Sequence, residues 1–167
     1  EKYGFSDEET CQVLFNAAAI GYLITRNATT AGAEGGCQAE VGSASAMAAS
    51  AAVELMGGTP AQCMDAASFA MVNILGLVCD PIGGLVENPC QNRNAMGASN
   101  ALISAELSLA GVKSITPIDE TIGVMYAVGK ALPSELRETS LGGMAVAKSA
   151  CEACAACAKA GKKSRRS

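Results

Sequence analysis

Side-chain size constrains this chain more than any other feature. Of its 167 residues, 32 are Ala and 18 are Gly, whereas aromatics make up 4% and Trp is absent. Side chains this small fill an interior only where backbones approach closely. Ala is also the best helix former, so closely packed helices are the expected solution. Half of the residues are apolar, enough to bury a core and to exclude global disorder. The length suits one domain rather than two.

Local punctuation agrees. Ser6 and Glu9 read as a capping box, with Asp7 and Glu8 at the positive end of the dipole. Behind them Val13, Leu14, Ala17, Ala18, Gly21 and Ile24 recur at helical spacing, which predicts a helix over about 7–25. Residues 26–40, RNATTAGAEGGCQAE, read as a Gly-broken loop. A second helix is expected over about 40–56, stopped by Gly57 and Gly58, one of them left-handed. Thr59, Pro60 and Gln62 open a third, running to residue 77 or 78 with a stripe of Met64, Ala67, Met71, Ile74 and Leu75. Two Pro and two Gly make residues 79–92, CDPIGGLVENPCQN, a loop.

A fourth helix is expected over about 93–110, ended by Gly111, and a fifth from Thr116-Pro117 to about 131. A short helix near 134–138, a loop at 139–144 and a low-complexity stretch at 145–160, compatible with a helix, complete the chain. No strand signal emerges. The expected fold class is all-α: a compact, Ala/Gly-rich helical domain with Cys-bearing loops between helices.

The net charge is −4, unevenly spread. The last ten residues, AKAGKKSRRS, hold five of the twelve basic side chains and no acid, leaving −9 for residues 1–157. An acidic body is a poor surface for nucleic acid. The basic end reads as a solvated tail. No apolar run approaches the ~18–20 residues of a membrane span, and no signal peptide opens the chain, so neither a membrane protein nor a secreted precursor is expected.

Eight Cys stand against no His. Without a secretion signal, this points to a reducing compartment, the cytoplasm, rather than to a disulfide scaffold. Paired C-x2-C knuckles of a zinc ribbon are missing. Cys37, Cys79 and Cys90 share a context: each lies in or beside a Gly- or Pro-rich loop between helices, with gaps of 42 and 11 residues. Loops carry functional residues more often than helices do. Three soft thiolates with no imidazole favour an iron–sulfur cluster or zinc. Three unrelated buried thiols satisfy the same spacing. A cubane held by three Cys keeps one iron open as a Lewis acid, and elimination of water from a hydroxy acid is the natural chemistry. Cys11 and Cys63 fall within amphipathic helices and read as core, as do the Met of the second and third helices.

The segments NATTAGAEGGCQAEVGSASAMAA (27–49), LGLVCDPIGGLVENPCQNRNA (75–95) and RETSLGGMAV (137–146) resemble the α subunit of iron–sulfur-dependent L-serine dehydratase, or L-serine ammonia-lyase. The resemblance extends from about residue 5 to 151. It implies that Cys37, Cys79 and Cys90 ligate a [4Fe-4S] cluster. It also implies that the L-serine hydroxyl meets the open iron, giving aminoacrylate and then pyruvate and ammonia without pyridoxal phosphate. Residues 1–150 would be the helical catalytic domain. Residues 151–167 would be a flexible tail.

Asn27, Gln38, Arg93 and Asn94 lie in the matching loops and become candidates for binding substrate. The Arg93 guanidinium suits a carboxylate. Glu34 is the candidate base, and Glu40 reads as a carboxylate orienting the backbone around the site. Family tails often end in a Cys that reaches the cluster. Here Cys151 aligns best, with Cys154 and Cys157 on the same helix face. The family's α chain has an upstream pocket-forming segment that this sequence lacks, so the chain reads as a fragment or a processed subunit. A homodimer or an α/β two-chain assembly is implied. Two alternatives stay open: an L-cysteine desulfidase of related architecture, and a truncated, non-catalytic helical domain that needs a partner chain.

Overall fold

The computed structural model describes residues 4–155, and their architecture is all-α. Six α-helices follow in order: α1 Asp7–Asn27, α2 Gly32–Gly35, α3 Cys37–Leu55, α4 Pro60–Asn73, α5 Cys90–Leu109 and α6 Ile118–Ala131. Short 3-10 turns lie at Ile82–Gly84, Ser134–Leu136 and Gly143–Val146, and residues 148–155 are helical. Among the described residues, the one β-type contact is an isolated parallel bridge between Cys79 and Arg137. No helix among them is long and apolar enough to cross a membrane.

Helix α3 is the hub, packing on α1, α4, α5 and α6. Eleven of its nineteen residues are buried, all of them Ala, Ser, Gly, Val, Cys or Gln. Small side chains allow this many close neighbours, and the larger Ile20, Ile24, Met71, Ile122 and Met125 fill the remaining gaps. Buried hydroxyls and amides tie the helices together. Asn100 donates to Ser45 Oγ and to the Ala70 carbonyl, both at 2.8 Å, and accepts from Asn73 Nδ2. Ser68 donates to the Thr116 carbonyl at 2.7 Å and pairs with Thr121 Oγ1 at 2.8 Å, fastening α4 to α6.

Both expected capping boxes are present, Ser6 with Glu9 and Thr59 with Gln62, and Gly57 closes α3 at φ +80°. The boundaries that moved did so for tertiary reasons. Helix α4 stops at Asn73, short of 77 or 78, because the Gln38 side chain accepts the Gly76 N–H at 2.8 Å and Gly76 turns to φ +85°. Helix α3 starts at Cys37, not 40, because the Leu77 carbonyl accepts the Gln38 N–H, which has no partner within the helix, at 3.0 Å. Helix α5 likewise starts at Cys90, with no side-chain cap to mark it. The Gly-rich stretch expected as loop contains α2.

The buried face of α1 is Val13, Ile20 and Ile24. Leu14 and Cys11, expected in the core, are exposed because they sit on the opposite face with Phe15 and Tyr22. Cys63 and Met71 are buried as expected, whereas Met56 is 57% exposed. The first residues of the expected tail, 151–155, are helical; the rest of it, Cys157 included, lies outside the described residues.

Candidate metal centre

Two helix N-termini and one extended segment converge. Cys37 opens α3, Cys90 opens α5, and Cys79 lies in the segment between α4 and α5. All three are buried. Gly36 makes the first convergence possible. At φ +77°, a Cβ there would lie 2.7 Å from the Leu77 carbonyl oxygen, so only Gly lets the start of α3 touch the segment leading to Cys79. The Cys37 and Cys79 sulfurs and a Glu40 carboxylate oxygen all lie within 4.8 Å of one another. Val41, Ile74 and Leu77 wall the two sulfurs with apolar side chains. Gly32 backs the group, since a Cβ on it would sit 3.1 Å from Cys79 Sγ and 3.2 Å from Glu40 Oε2.

Electrostatics marks the same spot. Burial pushes the Cys79 thiol up, and the neighbouring Cys37, Glu138 and Glu40 push it further. Burial also raises the Cys90 thiol, with Cys37 and Glu40 adding to it and Arg93 opposing. Thiols at helix N-termini are ordinarily favoured as thiolates. At Cys90, burial first and then the neighbouring Cys37 and Glu40 outweigh that. A bound cation reverses the balance, because metal ligation takes the thiolate form. A sulfur-rich, oxygen-poor and apolar-walled donor set suits an iron–sulfur cluster or zinc.

The surrounding side chains are committed to holding this arrangement. Gln38, 1% exposed, donates to the Gly35 and Met125 carbonyls, both at 2.9 Å. Together with its bond to Gly76, this joins the α3 start to α6 and the 74–77 turn. Arg93 Nη1 donates to the Val78 carbonyl at 2.8 Å and to Asp80 Oδ1 at 2.6 Å, and lies 3.8 Å from Cys37 Sγ. Desolvation works against the Arg93 charge, but Asp80 and Cys37 leave the guanidinium raised overall.

Asp80 belongs to the CDP segment, yet sequence reasoning gave it no role. The only signal was an acid directly after a Cys, within the same stretch as Arg93. It is 2% exposed, and its second oxygen accepts the Met144 N–H at 2.6 Å. Further bonds lace residues 136–144 onto this edge. Cys79 N–H donates to the Leu136 carbonyl at 2.8 Å, Glu138 N–H to the Cys79 carbonyl at 2.7 Å and Ser140 Oγ to the Pro81 carbonyl at 2.6 Å.

The structure therefore brings Cys37, Cys79 and Glu40 together within 4.8 Å, with Arg93 against Cys37; Cys90 stands outside that group and is linked to it through the charges of Cys37, Glu40 and Arg93. Asn27 is exposed and donates to the Leu23 carbonyl at its own helix end. Glu34 is exposed on α2. Asn94 is exposed beside a cleft of about 210 Å³ between α3 and α5, lined also by Val41, Ala44, Ser45 and Gly97. Cys151 is exposed, with Sγ 3.7 Å from the Ala145 carbonyl. Of the two tail cysteines among the described residues, Cys154 reaches the 79–90 loop: its Sγ lies 2.9 Å from where a Gly83 Cβ would stand.

Fold and centre together define a class, an all-helical domain in which a buried thiol at a helix N-terminus meets a second buried thiol from a loop beside a carboxylate. The chain belongs to the serine dehydratase alpha chain family, whose pattern it matches over residues 1–145. A Bacillus subtilis (strain 168) protein named probable L-serine dehydratase, alpha chain, is 53% identical over 152 residues, 91% of this chain and 51% of that protein. The L-serine dehydratase alpha chain of Peptoniphilus asaccharolyticus is 57% identical over 150 residues, 89% of this chain and 51% of that protein. An L-serine dehydratase of Mycobacterium bovis is 46% identical over 145 residues, 86% of this chain and 31% of that protein. The chain thus spans about half the length of the alpha chains it matches, and less of the longer relatives.

Proposed function

We propose that this chain carries the metal centre of an L-serine ammonia-lyase, which converts L-serine to pyruvate and ammonia, and that Cys37, Cys79 and Cys90 hold a [4Fe-4S] cluster. The carrying observation is the Cys37–Cys79–Glu40 group, within 4.8 Å, in a chain whose relatives bear the name L-serine dehydratase. When bound, such a cluster supplies a Lewis-acidic iron at which the β-hydroxyl is polarised to depart.

The chain's own residues do the rest. Arg93 uses Nη1 on the scaffold, and the remaining N–H groups of the fork suit the substrate carboxylate. Glu34 lies on α2, whose Gly32 backs the sulfurs, and is the residue to test for taking the α-proton, while Glu40 lies against the sulfurs. Val41, Ile74 and Leu77 keep water from the sulfur side. Asn94 follows Arg93 in the chain and lines the α3–α5 cleft, which makes it a candidate for a further polar contact to the substrate. Gln38 serves by fixing the start of α3. The relatives named as alpha chains support a working assembly of more than one chain.

The test is anaerobic reconstitution with iron and sulfide, counting both. Spectra with L-serine, and with L-cysteine as control, follow. Expected are four irons per chain, a spectrum that changes with L-serine, and a loss of about 100-fold in kcat for Glu34→Gln. Cluster uptake without turnover would favour a chain that works only with a partner. Absence of uptake would remove the proposal.

A further inference from the structure

We infer that Asp80 is a positioning residue that couples the sulfur centre to the 136–144 strap through one buried carboxylate. One oxygen holds Arg93 at 2.6 Å, and through it the guanidinium stays 3.8 Å from Cys37 Sγ. The other holds the Met144 N–H at 2.6 Å. Both partners are donors, so the site calls for an acceptor on each side, and only a carboxylate supplies two. The ion pair is nearly dry, with side-chain exposures of 14% and 2%, so removing the acid leaves Arg93 without its compensating charge.

Gly143 supports the same reading independently. A Cβ there would lie 2.7 Å from the Asp80 Cβ and run into its carboxylate, and the residue sits at φ +61°. Glu138 and Ser140 also hold positive φ, at 65° and 57°, a conformation costly for non-Gly residues. Such backbone persists where the surroundings over-determine it. Here the surroundings are Asp80, the Cys79 backbone and the Pro81 carbonyl. The strap and the Cys37 sulfur therefore move as one body, linked by Met144, Asp80 and Arg93.

This deepens the metal-centre reading, and it is tested on the full chain, reduced and free of metal, so that failure of either is seen separately. Two quantities are measured: hydrogen exchange at the Met144 amide, and the alkylation rate of each Cys mapped by mass spectrometry. Cys37 and Cys63 are both 3% exposed, so Cys63 reports global opening. Asp80→Asn should speed Met144 exchange and Cys37 alkylation at least about tenfold, the scale of one lost charge-assisted hydrogen bond, and leave Cys63 unchanged. Gly143→Ala, which touches Asp80 and no sulfur, should do the same. Gly111→Ala controls for strain, since Gly111 has φ +91° with open space around it, and should alter neither rate. A Cys37 rate unmoved by Asp80→Asn and Gly143→Ala would overturn the coupling, as would a Cys63 rate that rises in step with Cys37.

Discussion

Each buried cysteine carries a different burden. Cys63 lies in the interior, away from the proposed ligands, and burial raises its thiol despite hydrogen bonds from Asn16 and Ser50 that work the other way. A thiol whose folded pKa exceeds its unfolded one favours the folded state while both are protonated. The unfolded thiol then ionises first as pH climbs through about 9, and that stability drains away. Denaturant unfolding of the metal-free, reduced chain should therefore show stability falling between pH 8 and 10. The fall should be shallower in Cys63→Ala. Equal slopes would mean that Cys63 titrates alike in both states.

Among the elements, the junction of α3 with the segment before Cys79 decides the site. Gly36 serves it twice, by adopting φ +77° and by leaving the Leu77 carbonyl and the Leu132 side chain room at 2.7 Å from where a Cβ would stand. Backbone cannot swing aside as a flexible side chain can. Gly36→Ala should cost about 2–4 kcal/mol, combining overpacking with left-handed strain. The cost should show as a lower denaturation midpoint at an unchanged slope. Metal uptake should fall more than stability does, because Cys37 is the next residue. At Gly129, too, a Cβ would meet backbone, the Gly35 Cα at 2.7 Å, so α6 seats α2 through the same kind of close approach.

For the whole molecule, metal binding and folding are linked. The three proposed ligands come from separate parts of the chain, and the unfolded state cannot present them together. A group present at a hundred times its Kd adds about 2.7 kcal/mol of stability, and reconstitution with iron and sulfide should add at least that. For a chain of this size, that is a rise in Tm of about 5–10 °C, reversed by a chelator and readable by calorimetry under anaerobic conditions. A Tm indifferent to metal would separate the cysteine cluster from any ligand role. Apolar side chains are exposed on α1 and α5, among them Phe15 at 78% and Leu102 at 64%.

The amino-acid order by itself determined what depends on neighbours along the chain. Ser6 and Glu9, Thr59 and Gln62, and Gly57 act within one helical turn, so the all-α class and most helix ends were readable from local spacing. The resemblance of the Cys-bearing segments also singled out Cys37, Cys79 and Cys90 together. Tertiary structure alone decided which face of α1 is buried, where α3 and α4 meet the 74–77 turn, and that Asp80 grips both Arg93 and Met144. Those outcomes rest on hydrogen bonds and close contacts between residues tens of positions apart. A helical repeat places an apolar face only to within one neighbouring position, and no local pattern encodes which distant donor a buried carboxylate will meet.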